Sequence, residues 1–291
     1  MEIRDLLIEK PIGKVKAIVI IVHGMQEHLF RYTDFANYLS QQGYLVVRYS
    51  LLGHGPSVAK EDRGYFGEKD GWKNLVEQLK TVVERIKHSY PGIPVVVYGH
   101  SFGSMIARAF IQEYDHLIEA LVLQGPAMYN PSAYMGMTLA KILEIQKGPK
   151  GKSKLMDKVV TGGFQVGQKK GESWVAYNSK FLAEARKDPY LIPLWTIQGY
   201  YDLLALNIQM SDVREYACHN PDLSILLIGG EDDPVIGYLK GFQDTIYRLR
   251  LVGYTKIQSA LFSHMKHDIL HEEGYEKVYK RVGAYLKTVV D

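Results

Sequence analysis

The chain has 291 residues, 46% of them hydrophobic and 23% charged, with a net charge of +3. That balance suits a sizeable globular core and is too weakly basic to imply nucleic-acid binding. One cysteine, Cys218, excludes an intrachain disulfide, and the apolar run Ala17 to Val22 is too short to span a bilayer. The Met-Glu-Ile-Arg-Asp start lacks the basic-then-apolar layout of a signal peptide, so a cytoplasmic location is expected.

Ala17 to Val22 is bounded by Lys16 and His23-Gly24 and reads as a buried parallel strand. Arg31 to Gln42 follows as a helix that Gly43 stops, and Tyr44 to Tyr49 is the next strand. A glycine-rich loop, Leu52-Gly-His-Gly-Pro-Ser57, leads to Trp72–Ser89, where Leu75, Leu79, Val82, Val83 and Ile86 recur at helical spacing. Val95 to His100 reads as a strand, a helix runs from there to about Tyr114, and Glu119 to Gln124 is a further strand. Alternating strands and helices imply a mostly parallel sheet covered on both faces, an α/β fold. The alternation stops at Gly125-Pro126 and resumes at Ser224–Ile228 and Thr255–Phe262, with a closing helix over 272–290. The chain therefore divides into a core, 1–126 with 214–291, and an insertion at 127–213. An insertion of that length is expected to cap a site.

Gly99-His100-Ser101-Phe102-Gly103 stands between an apolar β-branched run and a helix of small and apolar residues. Strand, sharp turn and helix in that order suit a serine held on a strained elbow, with small neighbours giving it room. Such an elbow directs the Phe102 N–H, at a helix N-terminus, toward a developing oxyanion. A base and its orienting acid should follow later in the chain, each after a sheet strand. Glu231, Asp232 and Asp233 compete for the acid, Asp233 being preferred because Pro234 fixes the turn after it, and His264 and His267 compete for the base.

His23-Gly-Met-Gln-Glu-His28-Leu-Phe-Arg31-Tyr32, Leu52-Gly-His-Gly-Pro-Ser57 and Gly99-His-Ser-Phe-Gly103 together resemble one branch of the α/β-hydrolases. It is the monoacylglycerol lipase and lysophospholipase branch, which carries the serine aminopeptidase domain label. The resemblance continues through Ala185-Arg-Lys-Asp-Pro189, Gly230-Glu-Asp-Asp-Pro-Val235 and His267-Asp-Ile-Leu270. It implies an α/β-hydrolase fold with a helical cap, Ser101 as nucleophile, Asp233 as acid and His267 as base. The backbone N–H groups of Met25 and Phe102 are implied as the oxyanion hole, and Glu27 with Arg31 as a polar end of the substrate pocket, unless those two simply bridge each other. Ser50 and Leu52 stand where the family carries an acid and an arginine, so a structural ion pair is expected to be absent there. The N-terminus is shorter than the family's leading hairpin, which leaves the first edge strand unassigned.

The implied activity is hydrolysis of small-molecule or lipid carboxylic esters of the monoacylglycerol or lysophospholipid type, with no metal or organic cofactor. Two alternatives are a peptide hydrolase, which the domain label invites, and a binding protein that keeps the fold without turnover. His267-Asp-Ile-Leu-His271 mimics zincin spacing, but its first histidine follows a strand and its acid is aspartate, so a structural reading is preferred. Gly148-Pro-Lys-Gly-Lys-Ser153 lacks the first glycine of a P-loop and has no preceding strand. Tyr129, Tyr134, Met135, Met137, Leu139 and Ile142 are expected to give the cap an apolar underside. Between Lys141 and Lys170 lie eight lysines and two acids, so this window is more positive than the whole chain. It reads either as a solvated loop or as an edge that meets anionic lipid surfaces.

Overall fold

The computed structural model describes residue 3 and residues 5–290. Seven strands, β1 (Leu6–Glu9), β2 (Ile18–Val22), β3 (Leu45–Tyr49), β4 (Val95–His100), β5 (Ala120–Gln124), β6 (Ser224–Gly230) and β7 (Ile257–Phe262), form one sheet. Their order across it is β1-β3-β2-β4-β5-β6-β7, and every pairing is parallel except β1 with β3. An edge strand is thus present, with Leu6 opposite Tyr49, although the short N-terminal segment had left it unassigned.

Successive residues of a strand face opposite sides, and the central strands are apolar on both. Ile18, Ile20 and Val22 of β2 pack with α2 (Gly71–Ser89) and α3 (Phe102–Tyr114), while Val19 and Ile21 pack with α1 (Thr33–Gln41) and α9 (Glu276–Val290). The strands and the helices over 33–41, 71–89 and 102–114 follow the sequence reading to within a few residues.

Between β5 and β6 lie α4 (Ala133–Lys147), α5 (Lys154–Thr161), α6 (Ser179–Ala185) and α7 (Ile197–Ser211). The lysine-rich stretch therefore holds a helix, begun by the Ser153 hydroxyl, which accepts from the Met156 N–H. A further helix the sequence reading did not separate, α8 (Tyr238–Val252), joins β6 to β7. Its periodicity is weak because Tyr238, Leu239, Tyr247 and Leu251 stay exposed while Phe242, Thr245 and Leu249 are buried.

The expected apolar underside of the cap is corrected in part: Met137 and Leu139 are half-buried against the core, but Tyr134, Met135 and Ile142 are not. α4 buries Ala133, Gly136 and Ala140, and it turns Tyr134, Met135 and Ile142 outward to solvent. Small residues permit its close approach to α7, and Gly136 there meets Leu204. Among the described residues, no helix is long and apolar enough to cross a membrane.

Candidate active site

Ser101 sits between β4 and α3 with φ 52° and ψ −114°, a conformation that non-glycine residues rarely hold. Gly99 and Gly103 make it possible: a Cβ on Gly99 would stand 2.6 Å from the Gly103 carbonyl oxygen, and one on Gly103 would strike the carbonyls of Val22 and His23. The turn is pinned by the Ser101 N–H donating to the Gln124 carbonyl at 2.9 Å and the Ser104 hydroxyl donating to the Ser101 carbonyl at 2.6 Å.

Of the three acids after β6, Asp233 alone meets a histidine. His267 Nδ1 lies 2.8 Å from Asp233 Oδ2, and the Val235 N–H donates to Asp233 Oδ1 at 2.8 Å. A carboxylate only accepts, so Nδ1 carries the proton and Nε2 of the neutral ring is left as the acceptor. Nε2 is buried without a partner, and His267 lines the same cavity as Ser101. Glu231 is exposed, Asp232 accepts instead from the Tyr177 hydroxyl at 3.1 Å, and His264 is exposed. His271 turns elsewhere, to Asp268 Oδ1 at 2.9 Å and to the Arg31 carbonyl at 3.1 Å.

Two cavities meet at Ser101. The larger, of about 550 Å³, is lined by Ser101, His267, Glu27 and Arg31 and by Phe181 and Ile192 from the segment between β5 and β6. The smaller, of about 100 Å³, is lined by Ser101, Met25 and Phe102 and by apolar residues that include Met105, Phe164 and Leu204. Among the described residues, no hydrogen bond engages the backbone N–H of Met25 or Phe102.

Glu27 and Arg31 do bridge, Arg31 Nε donating to Glu27 Oε2 at 3.0 Å. Glu27 Oε1 accepts from the Gly24 N–H at 2.5 Å and the Tyr32 hydroxyl at 2.5 Å, and it faces His100 Nδ1 at 3.0 Å. Both carboxylate oxygens are therefore committed to the protein. Burial disfavours a charge on Glu27, but His100, Arg31 and Tyr32 outweigh it and hold this carboxyl well below its usual range. The same pairing raises His100 against the opposing effect of its own burial.

Arg31 Nη2 also donates to Asp268 Oδ2 at 3.2 Å, and its guanidinium lies 4.6 Å from the Phe181 ring centroid. His271 faces two groups that only accept, a carboxylate and a carbonyl, so it meets both as the doubly protonated ring. Burial opposes that charge, yet Asp268 raises the His271 pKa. Asp188 is likewise occupied, accepting from His28 at 2.7 Å and from the Tyr190 N–H at 2.9 Å.

Several of these residues had no place in the sequence reading. His100 lay inside the elbow motif without a role, Asp188 and His28 lay in family motifs without being paired, and Trp174, which lines both cavities, carried no signal. Ser50, Leu52 and His54 line a separate cavity of about 460 Å³.

A strained serine after β4, an acid after β6 and a histidine after β7, all at the C-terminal edge of one sheet, are the arrangement of an α/β-hydrolase fold. The profile of the family described as serine aminopeptidase, S33, matches residues 13–274, and the chain belongs to that family. A monoglyceride lipase homolog from Monkeypox virus is 37% identical over 120 residues, 40% of this chain and 41% of the viral protein. A monoacylglycerol lipase from Mycolicibacterium smegmatis is 33% identical over 113 residues, 39% of each chain. The matched stretch thus spans about two fifths of the length of these relatives. A thermostable carboxyl esterase from Bacillus coagulans shares the fold with a TM-score of 0.90, at 22% identity over 98% of this chain and 94% of that one.

Proposed function

We propose that the protein hydrolyses carboxylic esters of the monoacylglycerol or lysophospholipid type through an acyl-enzyme on Ser101. The observation that carries this reading is the buried His267–Asp233 pair, whose Nε2 has no partner and whose histidine lines the same cavity as Ser101. His267 takes the Ser101 proton as the hydroxyl oxygen attacks the ester carbonyl, and Asp233 holds the tautomer and stabilises the imidazolium. The Met25 and Phe102 N–H groups receive the oxyanion, one such donor contributing about 3 kcal/mol. The carbonyl then re-forms, the C–O bond to the alcohol breaks, and His267 protonates the leaving oxygen. Water, activated by the same histidine, attacks the acyl-enzyme and releases the acid. Segment 127–213 closes over this centre as a cap.

Ester rather than peptide cleavage is favoured by the state of the acids. Glu27, Asp188 and Asp268 line the larger cavity, and all three already hold protein partners, leaving none for a substrate ammonium. A fluorophosphonate should modify wild type at Ser101 and leave Ser101→Ala unlabelled, and aryl esters should turn over where aminoacyl anilides do not. Absence of labelling would instead favour a binding protein without turnover.

We also infer that the cap edge contacts anionic lipid surfaces. Met135, Ile145, Leu155 and Val166 are exposed there beside Lys147, Lys154, Lys158, Lys169 and Lys170, a mixture of apolar and cationic groups suited to an interface. Lys150 and Lys152 serve a different purpose: Lys150 pairs with Asp62 at 2.6 Å and Lys152 donates to the Arg63 carbonyl.

A further inference from the structure

Trp174 takes no part in the steps above, yet it lines both cavities beside Ser101, with its ring centroid 5.5 Å from that of His267. It stands on the irregular strap 173–178 of the insertion. That strap is fastened to the loop carrying His267 by a specific device. The Glu272 carboxylate, 1% exposed, accepts the Tyr177 N–H at 2.9 Å, the Asn178 N–H at 3.1 Å and the Lys266 N–H at 3.0 Å. Around it the Asp268 N–H donates to the Val175 carbonyl at 2.8 Å, Lys266 Nζ to the Ser173 carbonyl at 2.7 Å, and Asn178 Nδ2 to the His271 carbonyl at 2.8 Å. A carboxylate buried this deeply would be costly without those donors, so the strap and the histidine loop are held as one unit.

The position of His267 also assigns the two cavities. The histidine must reach the leaving oxygen to protonate it, so the alcohol side of an ester lies in the cavity His267 lines, the larger one. The acyl chain then enters the smaller cavity, whose walls include Met105, Ala127, Val160, Phe164, Leu204 and Val235. Its volume of about 100 Å³ is below the ~150 Å³ of an engineered cavity that accepts benzene, so only a short chain fits while Trp174 is in place.

We infer that Trp174 is the specificity-determining residue that sets acyl length, and that Glu272 is the positioning residue that clamps it over His267. This inference rests on the ester-hydrolase reading and adds to it a preference for short acyl groups, with longer chains admitted when the clamp is released.

The test compares p-nitrophenyl butyrate with p-nitrophenyl laurate, with active sites counted by fluorophosphonate titration, in wild type, Trp174→Ala, Trp174→Phe, Glu272→Gln and the double variant Trp174→Ala/Glu272→Gln. Wild type should favour butyrate in kcat/KM. Trp174→Ala should raise the laurate-to-butyrate ratio roughly tenfold or more, and Trp174→Phe, which keeps an aromatic wall, should raise it less. Glu272→Gln turns an amide toward N–H donors and should raise the ratio in the same direction, chiefly by lowering KM for laurate. The double variant should match Trp174→Ala alone, because both changes act through one side chain. A merely structural Glu272 would lower both substrates in proportion and leave the ratio unmoved. Labelled Ser101 with unchanged ratios overturns the inference and leaves ester hydrolysis standing, whereas unlabelled Ser101 overturns both.

Discussion

Glu27, in the loop after β2, and His100, the residue before Ser101, meet at 3.0 Å between Glu27 Oε1 and His100 Nδ1. The same oxygen holds the Gly24 N–H, so one carboxylate ties the loop carrying Met25 to the elbow carrying Phe102. The two proposed oxyanion donors come from separate elements and depend on this tie for their spacing. Glu27→Gln should lower kcat by roughly 100-fold with KM little changed, since small displacements near the reacting centre have effects of that order. Steady-state kinetics normalised by phosphonate titration checks it; a change confined to KM would make Glu27 a substrate-binding group instead.

The acid and base assignments separate neighbours that the sequence leaves in competition. Asp233→Asn should cost about 10⁴ in kcat by stabilising the wrong imidazole tautomer. Asp232→Asn, which loses a bond to Tyr177, should retain most activity. His267→Ala should be nearly inactive and His264→Ala nearly normal, measured on one soluble aryl ester.

Asp202, on α7, is fully buried, accepts from Gln198 Nε2 at 3.3 Å and lies against Gly71 at the start of α2. Burial without a cationic partner raises its pKa from 3.8 to about 7. The folded state therefore holds a proton that the unfolded state releases, and stability falls as pH rises from about 4 to about 7 and then levels off. Asp202→Asn keeps an oxygen able to accept and removes this titration. Its melting temperature should exceed that of wild type by several degrees at pH 8 and match it near pH 4, by calorimetry at both pH values. An equal difference at the two pH values would refute the titration.

Lipid contact at the cap edge predicts that turnover of an insoluble monoacylglycerol by Trp174→Ala, which admits a long acyl chain, rises when anionic lipid is mixed into vesicles. Salt should remove the gain, because exposed charges are screened within about 8–10 Å at ordinary ionic strength. Replacing Lys154, Lys158, Lys169 and Lys170 with glutamine should abolish the gain and leave a short soluble ester unaffected. Lys150 and Lys152 are left intact in this variant, since they are bonded to Asp62 and to the Arg63 carbonyl. Equal rates on neutral and anionic vesicles at low salt would exclude the contact.

The strand runs and the elbow were legible because each is written in adjacent residues: Val95–Tyr98 by β-branched apolar side chains, Ser101 by its flanking glycines. Segment 127–213 was less legible. α4 buries the small Ala133, Gly136 and Ala140 and leaves Tyr134, Met135, Ile142 and Ile145 exposed, which blurs the pattern of an ordinary amphipathic surface helix.

By itself the sequence determined the six parallel strands β2 to β7 and the place of the strained serine between β4 and α3, because periodicity and turn chemistry act over a few neighbouring residues. The tertiary structure shows Asp233 meeting His267 while Asp232 turns to Tyr177, a pairing the family resemblance implied and the residues alone left open, since alternatives one or three residues apart differ in direction rather than in chemistry. It also decided that Glu27 is consumed by Gly24, Tyr32, Arg31 and His100, and that Glu272 joins Tyr177 and Asn178 to Lys266. A buried carboxylate finds its donors wherever the fold brings N–H groups within about 3 Å, and that distance has no counterpart along the chain.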